Sequence, residues 1–254
     1  MLELESIAFS YDRQPFLEGV SLRFEAGKIT TIIGPNGCGK STVLKLGSRL
    51  LLPRTGRVLL DGQDISRMSR KVFARRVSVL LQNNAPPHMS VEQAVMFGRY
   101  PYQAFAQPLS DEDRRLAGQA MKTTGCEAFR GKAVSRLSGG ERQRVFLAMV
   151  LAQDTDVIFL DEPTTYLDIH VCYDIMELIV RLNRELGKTI VLVLHDLNLA
   201  LNYSHSIVLM EKGRIISHDT PQTTACGDGI RKVFGVNLHR VLRGTKTYYC
   251  FDKL

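Results

Sequence analysis

The sequence predicts an α/β fold with a mostly parallel central sheet, to which an antiparallel β subdomain and an inserted α-helical subdomain are added. The main observation is that four short apolar runs, rich in β-branched residues, each end at a polar residue or a glycine-rich loop. Runs of this kind are typical of strands that are covered on both faces, as in a parallel sheet. They are Ile29–Ile33 before a glycine-rich loop, Val77–Leu81 before Gln82, Val157–Leu160 before Asp161 and Glu162, and Thr189–Leu194 before His195.

The polar ends of these strands predict the place of a functional site. In open α/β sheets, ligands bind beyond the carboxyl ends of the strands. If the four strands are neighbours in one sheet, a lysine, two carboxylates, an amide and an imidazole converge on one phosphate-binding loop.

The remaining segments predict the two added subdomains. Leu2–Ser10, Val20–Phe24 and Arg57–Leu60 alternate apolar and polar residues, as antiparallel strands do. Helical periodicity dominates from about Val91 to Ala152, which predicts the inserted helical lobe. The rest of the chain predicts strands at Ile207–Met210 and Arg214–His218, then a short helix and closing elements in Thr220–Leu254.

The bulk composition indicates an ordinary globular chain of 254 residues, of which 44% are hydrophobic and 23% are charged. No apolar run approaches the ~18 residues that span a bilayer. The acidic start Met1–Glu5 differs from a secretory signal, so we expect a cytosolic product. The five cysteines lack Cys-x-x-Cys spacing, which argues against a zinc site. The net charge of +7 suits nucleic acid, an anionic membrane face or phosphorylated ligands equally.

The glycine-rich loop carries the clearest chemistry. It matches G-x-x-x-x-G-K-[ST] in full, between a predicted strand and a predicted helix over Thr42–Arg49. Backbone N–H groups of such a loop face phosphate oxygens, Lys40 reaches the β- and γ-phosphates, and the Ser41 hydroxyl binds Mg²⁺. The sequence therefore predicts a P-loop NTPase core with ATP and Mg²⁺ as cofactors. The nucleotide-binding residues, here called the phosphate loop, are Gly34, Pro35, Asn36, Gly37, Cys38, Gly39, Lys40, Ser41 and Thr42.

Two adjacent acids lie at the end of a predicted buried strand. We assign Asp161 to Mg²⁺, directly or through water, and Glu162 to the attacking water as general base. Either acid alone is also compatible with a turn or helix cap before Pro163. The pair beside a phosphate loop favours the catalytic interpretation.

A second glycine-containing segment, Leu137–Gln143, reads LSGGERQ and is called the signature segment below. Ser138 and Glu141 have the spacing of a capping box at the start of a helix over Arg142–Ala152. Capping does not explain Gly139 and Gly140, which are poor helix formers but allow a backbone to approach a phosphate closely. The segment therefore predicts a second anion-binding helix start.

These motifs together resemble the ATPases of the ABC transporter family over nearly the whole chain. The LSGGERQ segment is highly specific where it lies between a phosphate loop and the strand that ends in Asp161 and Glu162. In this family, the signature segment of one subunit closes over ATP held by the other subunit. The resemblance thus implies a homodimer in which ATP contacts Ser138, Gly139, Gly140, Glu141 and Gln143 of the second copy.

The resemblance also implies roles for four further residues. Gln82 matches the family's glutamine loop, which senses Mg²⁺ or the attacking water, and His195 matches the switch histidine at the γ-phosphate. Asp168 matches the D-loop that contacts the other subunit, although alone it reads as a helix N-cap. Tyr11 matches the aromatic residue that stacks on adenine, with core packing as the competing interpretation.

Within the family, the chain is most similar to ATPases that serve importers of ferric siderophores, haem and cobalamin. The supporting tracts are Gly98–Pro101, Pro163–Asp168 and Leu194–Ala200. The resemblance implies uptake of a ferric siderophore or related iron chelate, with haem or cobalamin as the alternative. It also implies one nucleotide-binding domain, with a core and β subdomain at about 1–82 and 153–254 and a helical subdomain at about 83–152.

The implied partners are polytopic permease subunits and, indirectly, an extracytoplasmic substrate-binding protein, with the ATPase on the cytoplasmic face of the cell membrane. We expect Gln82–Pro101 to dock on the permease. This segment runs from the catalytic Gln82 into the helical lobe and carries exposed proline and aromatic residues. DNA-repair heads share these motifs, but they need a long coiled coil that is not evident here, and we expect no nucleic-acid partner. Soluble translation-associated members usually carry two cassettes, whereas this sequence has one set of motifs. A fused exporter needs hydrophobic spans, and this sequence has none of that length.

Overall fold

A computed structural model describes residues 1–12, 14–82, 86–103, 107–243 and 246–254 of the chain. The chain forms two compact units, called unit 1 (Met1–Arg67 with Leu182–Leu254) and unit 2 (Met68–Arg181). The strands are β1 Leu2–Phe9, β2 Leu17–Phe24, β3 Ile29–Ile33, β4 Thr55–Leu60, β5 Gln63–Asp64, β6 Val77–Leu80, β7 Val157–Asp161, β8 Thr189–Val193, β9 Ser206–Glu211, β10 Arg214–Asp219, β11 Val236–Arg243 and β12 Lys246–Lys253.

The α-helices alternate with the strands along most of the chain, as in other α/β proteins. They are α1 Lys40–Gly47, α2 Arg70–Ala74, α3 Val91–Met96, α4 Asp111–Thr124, α5 Gly139–Ala152, α6 Ile169–Leu186, α7 Leu197–Tyr203, α8 Pro221–Cys226 and α9 Gly229–Phe234. Short 3-10 helices lie at Ile65–Arg67, Phe97–Tyr102, Glu127–Phe129 and Val134–Arg136.

Unit 1 contains the predicted antiparallel subdomain and part of the parallel sheet. β1 pairs antiparallel with both β2 and β4, which confirms the first three alternating segments as strands. In a second sheet, β3 pairs in parallel with β8 and β9, and β10 runs antiparallel to β9. Every residue of β3 and β8 is buried, as expected of strands covered on both faces. The tail adds two short helices and the β11–β12 hairpin.

Unit 2 contains the parallel pair β6–β7 and the predicted helical stretch. Leu80 of β6 lies opposite Leu160 of β7. The helices α3, α4 and α5 lie within the stretch whose periodicity is helical, which confirms that prediction. The division into a core and a helical subdomain at 82/83 and 152/153 stays a prediction.

Two predicted helix starts are wrong. The helix after the phosphate loop begins at Lys40 rather than at Thr42, so the loop's lysine lies in the first helical turn. The signature helix begins at Gly139 rather than at Arg142, because the Ser138 side chain caps it directly. Among the helices that the structure describes, none is both long and apolar enough to cross a membrane.

Candidate functional site

The phosphate loop in unit 1 folds around its own lysine. Lys40 is only 5% exposed, and its Nζ donates hydrogen bonds to the carbonyl oxygens of Gly34 (2.8 Å) and Pro35 (3.1 Å). The loop is narrowed further by the hydrogen bond from Cys38 N to Pro35 O (3.3 Å). The ammonium group is therefore held inside the loop, where a terminal phosphate of a nucleotide binds in this motif.

Glycine is required at both ends of the loop. A β-carbon built on Gly34 would lie 2.3 Å from the carbonyl oxygen of Met210. Because this oxygen belongs to the backbone, it cannot move aside as the end of a flexible side chain can. At Gly39 the backbone adopts φ +108°, and a β-carbon there would lie 2.7 Å from Leu17 Cδ2. The loop's shape thus follows from its sequence, because other residues would be strained at these positions.

The first turn of α1 is arranged to receive an anion. Gly39 is the N-cap, and as a glycine it has no side chain with which to cap this turn. The start of a helix favours an anion through its backbone N–H groups and the positive end of the helix dipole. The Cys38 thiol is buried, and burial raises its pKa above the ordinary value, so it forms an uncharged wall of the loop.

Tyr11 lies against the phosphate loop. Its hydroxyl forms a hydrogen bond with Thr42 Oγ1 (2.9 Å), and its ring contacts Phe9 and Phe16 edge to face, with centroids 4.9 and 5.5 Å away. Tyr11 as a whole residue is 57% exposed. Tyr11 therefore packs on its neighbours and still offers an exposed aromatic surface beside the loop, which fits stacking on a base.

His195 belongs to the same unit as the phosphate loop. β8 and β3 are parallel neighbours, with Val193 opposite Ile32. The residues that follow the two strands therefore leave the sheet at the same edge, which brings the exposed His195 to the edge that carries the loop.

The carboxylate pair in unit 2 lies at the end of β7. Asp161 is its last residue and is 4% exposed. Glu162 follows with a positive φ of 53°, uncommon for a residue with a side chain. Glu162 Oε2 accepts hydrogen bonds from Gln82 Nε2 and from Thr165 Oγ1, the latter at 3.0 Å. The structure thus brings together two predicted catalytic residues, Gln82 and Glu162, from the parallel pair β6–β7.

The signature helix start in unit 2 is capped by its own side chains. Ser138 Oγ accepts the N–H of Glu141 (3.3 Å), and Glu141 Oε2 accepts the N–H of Ser138 (2.8 Å), so the predicted capping box is present. These bonds from the Ser138 backbone and side chain hold the pKa of Glu141 below its usual value. Gln143 is half-buried in the same helix.

The two glycines of this segment have a packing role that the sequence did not reveal. A β-carbon on Gly139 would lie 3.2 Å from Leu167 Cδ2, and one on Gly140 would lie 2.5 Å from Val171 Cγ1. The segment around the exposed Asp168 therefore packs directly on the signature helix. Neither Leu167 nor Val171 carries a sequence signal for this contact, since both look like ordinary apolar residues.

The residues predicted to bind Mg²⁺ have suitable chemistry. A serine hydroxyl, a carboxylate and an amide oxygen, from Ser41, Asp161 and Gln82, are the hard oxygen ligands that Mg²⁺ prefers. Among the described residues, no cluster of three His, Cys, Asp or Glu side chains could hold a metal. Mg²⁺ usually binds through few protein ligands together with phosphates and water.

Comparison with known proteins identifies the family. A family model described as ABC transporter matches residues 17–165, more than half of the chain, from β2 through the carboxylate pair. The chain belongs to the ABC transporter family. It is thus an ATP-binding subunit that hydrolyses ATP, in agreement with the phosphate loop and the Gln82–Glu162 pair.

This ABC ATPase is similar to curated relatives over most of its length. It is 41% identical to the iron(3+)-hydroxamate import ATP-binding protein FhuC of Bacillus subtilis (strain 168), covering 93% of this chain and 88% of the relative. It is 40% identical to the ferric enterobactin transport ATP-binding protein FepC of Escherichia coli (strain K12), covering 91% and 86%. The solved dimeric structure of the bacterial ABC transporter cassette MJ0796 matches with a TM-score of 0.75 and 28% identity, covering 87% of this chain and 99% of that chain.

The tract predicted to dock on a permease has two parts in this ABC ATPase. Arg99 is buried, its Nε donates to Asp113 Oδ1 (2.9 Å), and its Nη1 donates to the carbonyl oxygen of Ala152 (2.7 Å). Phe97 and Tyr100, by contrast, are 38% and 49% exposed and contact each other edge to face. Arg99 therefore holds α4 and α5 together, whereas the aromatic pair is exposed and available to a partner. Asn83–Ala85, also in this tract, lie outside the described residues.

Proposed function

We propose that this ATPase powers the uptake of a ferric siderophore or a related iron chelate. The ATPase part rests on the presence, in one chain, of a glycine loop closed around Lys40 and of the Gln82–Glu162 contact at the end of β7. The substrate class is supported by the two relatives at 41 and 40% identity, which are an iron(3+)-hydroxamate import protein and a ferric enterobactin transport protein. Haem or cobalamin import is the alternative, because the tracts Gly98–Pro101, Pro163–Asp168 and Leu194–Ala200 resemble the ATPases of those importers as well.

The residues divide the chemistry of hydrolysis between them. Lys40, the backbone of the phosphate loop and His195 stabilise charge on the terminal phosphates, and Tyr11 stacks on adenine. Glu162 accepts a proton from water as the water oxygen attacks the γ-phosphorus, and the bond to the ADP oxygen breaks. Ser41, Asp161 and Gln82 would hold Mg²⁺, which would offset negative charge on the phosphates when bound.

The proposed active form is a homodimer. Ser138, Gly139, Gly140, Glu141 and Gln143 of one copy bind ATP held by the phosphate loop of the other, and Asp168 contacts the second copy. The dimeric cassette similar to this chain supports this assembly. Such an interface is isologous and closes on itself at two subunits.

The remaining partners follow from a role in import. Polytopic permease subunits bind the ATPase at the cytoplasmic face of the cell membrane, and a substrate-binding protein delivers the chelate from the other side. The exposed pair Phe97 and Tyr100 supports docking of the permease on Gln82–Pro101. Aromatic side chains are enriched at such protein interfaces.

The role of Glu162 is tested by Glu162→Gln. The substitution keeps a polar group of the same size but removes the base, so we expect ATP binding to persist and hydrolysis to fall by roughly 10²- to 10⁴-fold. Phosphate release and binding of a fluorescent ATP analogue are measured side by side. Glu127→Gln, at an exposed position of the same unit, is the matched control and should retain wild-type turnover. Unimpaired hydrolysis by Glu162→Gln would assign the base to another residue.

The cargo is tested by growth. A host strain from which the gene is deleted should fail to grow when a ferric siderophore is the only iron source, and should grow normally on ferrous iron. The wild-type gene should restore growth, and the Glu162→Gln gene should not. Haem and cobalamin are supplied in parallel cultures, and a defect confined to one of them would replace the iron-chelate assignment.

A further inference from the structure

The first turn of the signature helix is packed against the start of α6. A β-carbon on Gly140 would lie 2.5 Å from Val171 Cγ1, well inside the 3.5–4.0 Å at which carbon atoms normally touch. Val171 is β-branched and lies in a helix, so its methyl groups have one strongly preferred rotamer and cannot move aside freely. At Gly139 the neighbour is the flexible end of Leu167, at 3.2 Å. Gly140 is therefore the position with no room for a side chain.

The residues that touch the two glycines are joined to the catalytic carboxylate by a short, hydrogen-bonded stretch. We call Glu162–Cys172 the connecting segment. At its start, Thr165 Oγ1 donates to Glu162 Oε2 (3.0 Å) and Thr165 N donates to Glu162 O (3.3 Å). At its end, Cys172 N donates to Asp168 O (2.9 Å) and Cys172 Sγ lies 3.3 Å from Thr164 O. Hydrogen bonds thus fix both ends of the connecting segment to the residues between them.

We propose that Val171 is a positioning residue for ATP hydrolysis. Its contact with Gly140 sets the first turn of the signature helix relative to Glu162 of the same subunit. This inference rests on the proposed function, in which the signature segment binds ATP held by a second copy. Glu162 acts on one ATP and the signature segment on the other, so the connecting segment links the two nucleotides through direct packing. Packed contacts of this kind carry coupling because the interior resists compression.

A competing explanation of Gly140 makes a different prediction. If glycine is needed only so that the backbone can approach a phosphate, a side chain at position 140 harms the protein whatever occupies position 171. If glycine is needed to make room for Val171, a smaller residue at 171 repairs the damage. The two explanations are separated by second-site rescue.

The experiment uses the full chain carrying Glu162→Gln, so that ATP-dependent dimers accumulate and can be measured by light scattering. Gly140→Ala should weaken dimerisation by about 100-fold, because a displacement of about 1 Å has effects of that size. Adding Val171→Ala should restore most of the lost dimerisation. In chains with Glu162 intact, cooperative ATP hydrolysis should fall and recover in the same pattern. Binding of a fluorescent ATP analogue to the single chain should stay unchanged throughout.

Val180→Ala is the matched control, since Val180 lies in the same helix and loses the same two methyl groups. It should not restore dimerisation to Gly140→Ala. If Gly140→Ala does not fold, as judged by circular dichroism, Val171→Leu replaces it. The larger side chain presses on Gly140 from the other side, and should lower dimerisation while leaving binding of ATP to the single chain intact.

The outcomes are distinguishable. Rescue by Val171→Ala and not by Val180→Ala supports the positioning role. Absence of rescue, equal rescue by both variants, or normal dimerisation of Gly140→Ala or Val171→Leu would overturn it. Failure of the parent Glu162→Gln chain to dimerise with ATP, or dimerisation of a Ser138→Arg version as strongly as the parent, would instead overturn the proposed sandwich.

Discussion

Two glycine-rich helix starts carry the proposed ATP chemistry, and they are built differently. At the phosphate loop, the N-cap of α1 is Gly39, which has no side chain to cap the helix. At the signature segment, a capping box binds the backbone N–H groups of Ser138 and Glu141 to each other's side chains. The first helix start therefore lacks a side-chain cap at its N-cap residue. The second has one, and the hydrogen bonds of this cap compete with any that Ser138 makes to a phosphate of a second copy.

The glycines of the two segments also answer different requirements. Gly39 is needed for its own backbone, which has φ +108°. Gly140 lies in an ordinary helix and is needed because Val171 occupies the space where a side chain would be. Similar composition thus reflects backbone geometry in one place and tertiary packing in the other.

The largest expected effect concerns the helix start at the phosphate loop. Lys40→Ala removes the cation inside the phosphate loop, so ATP binding should weaken by about 3 kcal/mol, or roughly 100-fold. Lys45→Ala, in the last turn of the same helix, is the control and should bind ATP normally. Titration with a fluorescent ATP analogue measures both. Normal affinity of Lys40→Ala would show that the loop does not hold the terminal phosphates.

A smaller effect is expected at the capped helix start. Ser138→Ala removes the side-chain acceptor for Glu141 N, and should lower the free energy of unfolding by about 1 kcal/mol in the absence of nucleotide. The exposed neighbour Ser135→Ala should leave stability within error of the wild type. Urea unfolding followed by circular dichroism measures the difference. Equal stability of the two variants would mean that the cap contributes nothing until ATP binds.

The smallest effect is the acid sensitivity of the signature helix. The pKa of Glu141 is lowered from 4.5 by its hydrogen bonds with Ser138, so its capping contribution is fully present above that value and is lost as the pH falls through the folded-state pKa. The protection factor of the Ser138 amide hydrogen, which compares its exchange with that of an unstructured peptide at the same pH, should therefore fall below pH 4.5. In Glu141→Gln, which keeps the capping geometry without a titrating group, this pH dependence should disappear. An identical pH profile for both chains would exclude Glu141 as its source.

Much of the fold could be predicted because its signals are local. Alternation of apolar and polar residues predicted β1, β2 and β4, and continuous apolar runs predicted β3 and β6 to β8, each within a few residues of its observed bounds. The first residues of the helices were harder to predict. Residue type alone does not decide whether Lys40 or Gly139 lies just before the helix or in its first turn. Their position depends on the loop geometry before α1 and on the cap before α5.

The sequence by itself determined the phosphate loop, the carboxylate pair and the capping box, because each needs particular residue types at fixed spacing along a few residues. The tertiary structure decided that Gln82 contacts Glu162, that Arg99 is a buried link to Asp113, and that Gly140 makes room for Val171. These contacts join residues that are far apart in the chain. Their formation depends on how strands and helices pack, which no short stretch of sequence encodes.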